Sequence, residues 1–354
     1  MTKTIASYAT TAPTEPLAPF SIERRAPDAE DVCIDILYCG ICHTDVHMAH
    51  NDWGTTVYPL VPGHEIVGRV SDVGSSVSKF AQGDLVAVGC MVDSCRSCQP
   101  CENNLEQYCE KGAVMTSNSV DARHGKQVTR GGYSQHIVVN QGYVLRVPDN
   151  LDPAGAAPLL CAGITTWSPL KHWNVGPGKT VGVIGLGGLG HLGVKFAHAL
   201  GARVVMITTS AEKGKDAQRL GADEVLLSTD GEAMKTNQAQ FDFLLDTVPV
   251  AHPLDPYIAL LKLDGTLAMV GVLEQMEGFH AAQLARKRRI VTSSLIGGIR
   301  ETQEMLDFCA EHNVLSDIEL IDIQDINSAY DRMMNNDVKY RFVIDMATLK
   351  GQQI

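Results

Sequence analysis

The chain has 354 residues, of which 45% are hydrophobic and 20% charged, and its formal net charge at pH 7 is −12. That length favours two domains, and that composition is typical of a folded globular protein rather than a disordered one. The acidic balance, without any run of Lys or Arg, excludes a nucleic-acid partner. The opening residues lack the apolar segment of a secretory signal, and no apolar stretch reaches the roughly 18 residues of a membrane helix. We therefore expect a soluble, cytoplasmic protein without a membrane partner.

The first part of the chain, to about residue 150, has the pattern of short β-strands separated by turns. Apolar residues alternate with others over residues 32–38, and further strands, separated by turn clusters, are predicted over residues 67–70 and 84–88. This pattern predicts a compact, barrel-like β domain. Residues 112–132 are polar and poorly patterned, which predicts a surface or lid loop.

Four cysteines in this part have the spacing of a metal site. They read C-x2-C-x2-C-x7-C and are Cys95, Cys98, Cys101 and Cys109. One loop with this spacing can wrap a tetrahedral ion, and four thiolates leave no open position, which is typical of structural zinc. An iron–sulfur cluster also uses C-x2-C-x2-C, but the fourth spacing differs and no Cys-Pro follows. We therefore predict a structural zinc ion in this loop.

The chain has ten cysteines and no export signal, so ligands and free thiols are expected rather than disulfides. Cys33, Cys39, Cys90 and Cys309 lie in apolar stretches, which predicts small buried residues. Cys42, the pair His64-Glu65 and Cys161 form a second candidate set. Two cysteines and one histidine are typical of a zinc ion that keeps a position open for chemistry.

From about residue 162 the pattern changes to alternating strands and helices. Strands are predicted over residues 179–184, 204–207, 241–245 and 266–270, with helices between them, the second ending at Gly221. Strict alternation predicts a doubly wound parallel sheet. Helices at residues 301–309 and 327–334 and a strand at residues 340–344 complete the chain.

A glycine-rich turn follows the first of these strands. It has the sequence G-x-G-x-x-G, formed by Gly185, Leu186, Gly187, Gly188, Leu189 and Gly190. After an apolar strand and before a helix, this turn is typical of dinucleotide binding.

These motifs, in this order, resemble those of the zinc-dependent medium-chain alcohol dehydrogenases, and most closely the cinnamyl-alcohol-dehydrogenase-like branch with its bacterial NADP-dependent aldehyde reductases. The resemblance spans essentially the whole chain, from the C-H-T-D segment at residues 42–45 and G-H-E-x-x-G at residues 63–68 to Y-R-F-V at residues 340–343. It implies an α/β fold in which a β-rich GroES-like catalytic domain, residues 1–160 and 296–354, carries both zinc sites. A Rossmann NADP-binding domain, residues 161–295, interrupts it.

The resemblance also assigns the catalytic site. Cys42, His64 and Cys161 become the catalytic zinc ligands, with water or Glu65 in the fourth place. Three further residues take the remaining catalytic roles: Asp45 would hold the His64 ring, Thr44 would lie beside the substrate oxygen, and His47 would form the surface end of a proton relay through the nicotinamide ribose.

The second strand of the predicted Rossmann domain indicates which nucleotide binds. NAD-dependent members of the family carry an acid where this chain has Thr208. Thr208, Thr209, Ser210 and Lys213 instead suit the 2′-phosphate of NADP. Glu212 is an opposing acid in the same segment. The glycine turn and Arg341 complete the predicted cofactor residues.

The function implied is hydride transfer between NADP(H) and a primary alcohol/aldehyde pair, with broad aldehyde reduction. Residues 112–131 contain no aromatic residue, unlike the comparable loop of plant cinnamyl enzymes, which argues against cinnamyl specificity. Trp53, Tyr58 and Trp167 fit either an apolar substrate pocket or core packing equally well. The resemblance also implies a homodimer formed through the Rossmann domain.

Three alternatives remain at this point. An NAD(P)-dependent polyol or secondary-alcohol dehydrogenase shares the fold and the zinc, but the segment from Thr208 to Ser210 argues against it. A zinc-free quinone reductase lacks the four-cysteine loop. A non-catalytic NADP-binding sensor would not need the complete set of Cys42, Thr44, His64 and Cys161.

Overall fold

The computed structural model describes residues 2–271 and 275–349, and its backbone contacts separate the chain into two units. Unit 1 comprises Met1–Cys161 and Gly297–Ile354, and unit 2 comprises Ala162–Ile296. Unit 1 is therefore built from two stretches of chain, with unit 2 inserted between them.

The first stretch of unit 1 is mostly β-structure. Its strands are β1 (Lys3–Ala9), β2 (Ala18–Arg24), β3 (Asp31–Gly40), β4 (Ile66–Val73), β5 (Leu85–Val88), β6 (Met91–Asp93), β7 (Val114–Met115), β8 (Val120–Asp121), β9 (Gln127–Val128), β10 (His136–Asn140) and β11 (Leu145–Arg146). Its helices are α1 (His43–His50), α2 (Gln99–Glu102) and α3 (Pro153–Ala156), and short 3-10 turns occur at Glu106–Tyr108, Gln141–Tyr143 and Ala157–Leu160.

Unit 2 alternates helices and strands, as its sequence predicts. Its elements are α4 (Ala162–His172), β12 (Thr180–Ile184), α5 (Gly190–Ala199), β13 (Arg203–Thr208), α6 (Ala211–Arg219), β14 (Glu224–Leu227), α7 (Gly231–Thr236), β15 (Phe241–Asp246), α8 (Asp255–Ile258), β16 (Leu261–Met269), α9 (Ala281–Ala285) and β17 (Ile290–Ser293). The second stretch of unit 1 then adds α10 (Ile299–His312), β18 (Ile318–Asp322), α11 (Ile326–Met334) and β19 (Arg341–Asp345).

The main sheet of unit 1 joins the two stretches of chain that form this unit. Its strand order is β11-β5-β4-β3-β19-β18, and β10 also pairs with β3. Val343 of β19 lies opposite Gly40 at the end of β3, in antiparallel register. Strand β3 is thus central and almost wholly buried, with Asp35 as its exposed residue. Because α1 follows β3 directly, the start of α1 is fixed by the middle of this sheet.

The sheet of unit 2 is parallel throughout, with the strand order β14-β13-β12-β15-β16-β17. The order reverses direction between β12 and β15, which is the switch point where doubly wound sheets bind ligands. Buried apolar residues fill the space around these strands, among them Ile207, Leu244 and Leu267. The predicted fold class, a β-rich domain together with a doubly wound parallel sheet, is confirmed.

Several short strands had no signal in the sequence. Residues 112–132, predicted as a loop, contain the hairpin of β8 and β9, in which Val120 pairs with Val128. Two-residue strands are too short to show a period of two. Strand β17 lies at the sheet edge with no fully buried residue, so it lacks the apolar run of its neighbours. Among the described residues, no helix is long and apolar enough to span a membrane.

Candidate active site

The four-cysteine loop gathers its thiols as predicted. The Sγ atoms of Cys98 and Cys101 are 3.4 Å apart, and Cys98–Cys109 and Cys95–Cys101 are each 3.9 Å apart. Tetrahedral zinc with Zn–S bonds of about 2.3 Å places its sulfurs about 3.8 Å apart, so the four thiols fit such an ion. Backbone N–H donation by Ser97 lowers the pKa of Cys95 to about 6, which favours a thiolate. Each residue of the predicted structural site is therefore in place.

Removing one of these thiols tests the structural role. Cys101→Ala should lose one zinc ion per chain and lower the melting temperature by roughly 10 °C, because a closed metal site contributes folding free energy. Cys309→Ala is the matched control, since this thiol is fully buried on α10 outside the metal sites and its loss should leave the zinc content unchanged. Elemental analysis and thermal unfolding measure both effects. An unchanged zinc content in Cys101→Ala, or iron in place of zinc, would contradict the assignment.

The second candidate set also converges, although its members are far apart in sequence. Ligand atoms of Cys42, His64, Glu65 and Cys161 lie within 4.8 Å of one another, and the two sulfurs, 119 residues apart, are 3.9 Å apart. His64 and Glu65 are buried, whereas Cys42 and Cys161 are half-buried. The interaction with Cys161, followed by that with His64, holds the pKa of Cys42 well below its usual value. The donor set therefore fits one catalytic zinc ion.

The C-H-T-D segment forms this site because it begins a helix. Cys42 is the N-cap of α1, its backbone N–H donates to Asp45 Oδ2 at 3.0 Å, and Asp45 N–H donates back to the Cys42 carbonyl. The Asp45 carboxylate thus supplies the N3 half of a capping box. Asp45 itself stays buried. Thr44, in the same turn, is half-buried.

Asp45 lies against the ring of His64, and its role in orienting a zinc ligand stays a prediction. Its Oδ1 accepts from His64 Nδ1 at 3.2 Å and from the backbone N–H of Gly63 at 2.9 Å. Because Nδ1 donates, the lone pair of His64 Nε2 is left for a metal. The hydroxyl of Tyr133 also donates to Asp45 Oδ2, at 3.3 Å. The hydroxyl of Tyr330 donates in turn to that of Tyr133, at 3.5 Å. Nothing in the sequence pattern pointed to either tyrosine, since each is a single aromatic residue among small and polar neighbours.

Glu65 and Arg341 form a buried ion pair. The guanidinium of Arg341 contacts Glu65 Oε1, and the two side chains are 5% and 0% exposed. Glu65 Oε2 has no hydrogen-bond partner among the described residues. Burial raises the pKa of Glu65 to about 7, although Arg341 opposes this. An unpartnered carboxylate oxygen beside the cysteine and histidine residues suits the fourth zinc position. The pairing of Arg341 with Glu65 was not predicted. The predicted role of Arg341 toward the cofactor stays a prediction.

His47 lies at the other end of α1, near the surface. Its Nδ1 is 2.7 Å from Asp52 Oδ2, and its side chain is 36% exposed. The ring of Trp53 is 5.4 Å away, and Trp53 is itself 44% exposed. The Tyr58 hydroxyl donates to the carbonyl of Ala49. Both aromatics thus lie around α1.

Trp167 belongs to the core of unit 2. It is 2% exposed on α4 and meets Phe196 edge-on, with 5.4 Å between ring centroids. Of the two interpretations left open for this residue, core packing is therefore the correct one. The predicted burial of Cys33, Cys39, Cys90 and Cys309 is also confirmed.

The glycine turn of unit 2 has the geometry of a phosphate cradle. Gly185 has φ +87°, a conformation that favours glycine, and a Cβ on Gly190 would lie 2.0 Å from the Gly185 carbonyl oxygen. A Cβ on Gly187 would meet nothing within 4 Å, so its backbone is open to a close approach. Gly188 and Leu189 complete the turn and lead into α5, whose N-terminus favours an anion.

The residues predicted to choose the nucleotide lie where β13 meets α6. Thr208 ends β13 and is 5% exposed, and its hydroxyl accepts from Ser210 N–H at 3.2 Å. Ser210 is the N-cap of α6 and accepts from Lys213 N–H. Thr209, Glu212 and Lys213 are exposed.

Comparison with known families decides what these two units are. Residues 28–149 match the alcohol dehydrogenase GroES-like domain, and residues 188–311 match the zinc-binding dehydrogenase family. The chain belongs to the zinc-dependent medium-chain alcohol dehydrogenases. The predicted family and enzyme class, an oxidoreductase of alcohols and aldehydes, are confirmed.

Similar alcohol dehydrogenases align over nearly their whole length. Aldehyde reductase YahK of Escherichia coli is 53% identical over 337 residues, which are 95% of this chain and 96% of that protein. NADP-dependent alcohol dehydrogenase C 1 of Mycolicibacterium smegmatis is 53% identical over 349 residues, or 98% of this chain and 99% of that protein. The structure of the cinnamyl alcohol dehydrogenase SbCAD4 from Sorghum bicolor superposes with a TM-score of 0.95 at 45% identity, covering 99% of this chain and 100% of that one. These similarities place this dehydrogenase in the cinnamyl-alcohol-dehydrogenase-like branch.

Proposed function

We propose that this dehydrogenase reduces a broad range of aldehydes to primary alcohols, using NADPH and a zinc ion held by Cys42, His64 and Cys161. The observation that carries the proposal is the convergence of these ligands with Glu65 inside a 4.8 Å cluster. Cys95, Cys98, Cys101 and Cys109 would hold a second, structural zinc ion. The predicted cofactors, NADP(H) and zinc, agree with the family.

The chain's own residues supply orientation and proton transfer. When bound, zinc acts as a Lewis acid that polarises the carbonyl oxygen of the substrate. Thr44 is proposed to donate a proton to that oxygen as the hydride is transferred. His47 would restore the proton at the surface: its Nδ1–H is held by Asp52, which leaves Nε2 to exchange a proton with solvent.

The preference for NADP(H) rests on the segment from Thr208 to Lys213. No acid stands at the end of β13 to meet the ribose hydroxyls of NAD. Thr209 and Lys213 are exposed at the start of α6, where a hydroxyl, an ammonium group and the helix N-terminus can meet a 2′-phosphate. Glu212 is also exposed in this first turn and is the opposing charge in the segment.

A panel of aldehydes with both nucleotides tests the proposal. The zinc-loaded enzyme should reduce benzaldehyde, butanal and cinnamaldehyde with kcat/KM values within about tenfold of one another, and it should prefer NADPH over NADH by roughly 100-fold. The breadth follows from the absence of aromatic residues at 112–131. Preferential oxidation of polyols or secondary alcohols with NAD would instead favour the alternative dehydrogenase. Binding of NADPH without any turnover would indicate a sensor.

The assembly proposed for this enzyme is a homodimer formed through unit 2. Strand β17 is an edge strand, Ile290 on it is 46% exposed, and Leu263 on the neighbouring β16 is 62% exposed. An edge with exposed apolar residues is a surface that a second copy can cover. Light scattering at micromolar concentration should give about 76 kDa, twice the 38.2 kDa of the chain, and a monomer mass would contradict this. The cytoplasmic location stays a prediction.

A further inference from the structure

A buried histidine–aspartate pair lies at the carboxyl end of β15, outside the catalytic machinery described above. Asp246 is the last residue of β15 and is fully buried. His252 follows six residues later; its Nε2 is 3.0 Å from Asp246 Oδ2, and its side chain is 14% exposed. The ring N–H does not point directly at that oxygen, so the contact is an ion pair rather than a well-aligned hydrogen bond.

Both nitrogens of the His252 ring face acceptors. Nδ1 lies 2.9 Å from the carbonyl oxygen of Val250, which can only accept, and Nε2 faces the carboxylate of Asp246. The carbonyl needs a hydrogen on Nδ1, and the carboxylate 3.0 Å from Nε2 favours a positive charge on the ring, so the surroundings favour imidazolium. The interaction with Asp246 accordingly raises the pKa of His252, although burial opposes it.

Within the described part of unit 2, the titratable groups that face this ring come from two elements. Asp246 lies on β15, and Tyr257 on α8 meets the ring edge-on at 5.7 Å between centroids. Burial raises the pKa of Tyr257, so it stays neutral over the physiological range. The charge state of His252 is thus set mainly by Asp246.

The segment that this pair closes, residues 247–252, supports the glycine turn. Thr247 donates from Oγ1 to the carbonyls of Ile184 and Gly185, at 2.8 and 3.0 Å, and from its backbone N–H to Ile184. A Cβ on Gly185 would lie 3.2 Å from the side chain of Val248. The Asp246 carboxylate that pairs with His252 also holds Val248 in place, because its Oδ1 accepts from Val248 N–H at 3.1 Å. The pair therefore fixes the backbone that packs under the turn, at the switch point between β12 and β15.

We propose that His252, held as imidazolium between Asp246 and the Val250 carbonyl, is a positioning residue for NADP(H): it fixes residues 247–252 against Gly185, and its deprotonation loosens this segment and weakens nucleotide binding. The proposal rests on the placement of NADP(H) at the glycine turn. It adds a pH dependence to cofactor affinity that the zinc site does not require.

The direction of that dependence follows from the charge. The imidazolium is present below the raised pKa of His252, so NADPH affinity is full at lower pH and falls as the pH rises through that pKa. Couplings between two such equilibria are typically about 5- to 150-fold, and we expect the lower end of that range, about fivefold. By reciprocity, bound NADPH should lower the acid dissociation constant of His252 by the same factor, so its pKa should rise.

The experiment measures the dissociation constant of NADPH by fluorescence titration of the zinc-loaded enzyme between pH 6.5 and 9.5. For wild type, the constant should rise about fivefold across this range. In H252Q the amide can donate to Asp246 at every pH but is never charged. The variant should therefore bind NADPH about threefold more weakly than wild type near neutrality, and its dissociation constant should lack the wild-type rise with pH. The KM for NADPH should shift with it while the KM for aldehyde does not.

H280Q is the matched control. His280 also pairs with a carboxylate in unit 2, at 2.8 Å from Asp255, but its side chain is 83% exposed. The pH profile of NADPH binding to H280Q should follow that of wild type. Titration of the 2′-phosphate of NADPH affects all three proteins equally, so it cancels in the comparison. Wild-type affinity that does not change with pH, or an H252Q profile identical to wild type, would overturn the role of His252.

A second measurement decides the matter if H252Q does not fold. Histidine-selective 15N NMR of the wild-type enzyme should show the pKa of His252 rising when NADPH binds, and an unchanged pKa would overturn the proposal. Failure of the wild type to bind NADPH at any pH would instead overturn the proposed cofactor site itself.

Discussion

Cys42→Ala should lower kcat for aldehyde reduction by roughly 1,000-fold or more while the protein stays folded, because it removes one of three protein ligands from the proposed catalytic zinc site. The zinc content should fall to one ion per chain. The main sheet of unit 1 does not depend on this ligand, because β3 ends at Gly40 and is paired with β4 on one side and β19 on the other. Steady-state kinetics, elemental analysis and thermal unfolding measure the three quantities.

Cys33→Ala is the control for this substitution. Cys33 is a buried thiol on β3, 5% exposed and outside both sets of ligands, so its removal should leave both zinc ions and the turnover in place. Cys101→Ala provides the opposite contrast, because its main effect should be a lower melting temperature, whereas that of Cys42→Ala should be a lower kcat. If Cys42→Ala retained both ions and substantial turnover, the assignment of the catalytic zinc would be wrong.

Thr208→Asp should lower kcat/KM with NADPH by roughly 100-fold or more, at about 1.4 kcal/mol per factor of ten. Thr208 is 5% exposed at the end of β13, so the new carboxylate would face the 2′-phosphate in a partly desolvated place. The same carboxylate can accept both ribose hydroxyls of NAD, so activity with NADH should rise. Kinetics with the two nucleotides measure both changes.

Thr208→Asn separates charge from shape, because the amide has nearly the same size without the negative charge. Thr208→Asn should lower kcat/KM with NADPH by less than about tenfold. Lys213→Ala should weaken NADPH alone, since its exposed ammonium can meet the phosphate but not the ribose hydroxyls of NAD. Should Thr208→Asp leave the nucleotide preference unchanged, the assignment of this strand end would fall.

Elements encoded by neighbouring residues could be predicted from the sequence. The spacing of Cys95, Cys98, Cys101 and Cys109 gathers four thiols within one loop, so no distant contact is needed. The glycine turn and the stop of α6 at Gly221, φ +112°, likewise follow from local backbone conformation. The strands of unit 2 were predicted because strands buried on both faces carry continuous apolar runs.

Convergence of distant residues was predicted only through family resemblance. Cys42 and Cys161 are 119 residues apart, and neither has a local pattern that distinguishes a ligand from a small buried thiol. Unit 2 is inserted between the two stretches of unit 1, so the pairing of β19 with β3 also joins segments about 300 residues apart. The resemblance supplied these pairings because it carries the tertiary structure of other chains.

The sequence by itself determined the local chemistry: four thiols in one loop, a phosphate cradle and a strand end without an acid. Tertiary structure alone decided which side chains surround the ligands. Tyr133 reaches Asp45 across 88 residues, and Arg341 reaches Glu65 across 276. Even His252, six residues from Asp246, had no signal, because its contact depends on how residues 247–252 fold back on β15. Hydrogen bonds and ion pairs need the relative direction of two side chains, and that direction is fixed by packing rather than by sequence spacing.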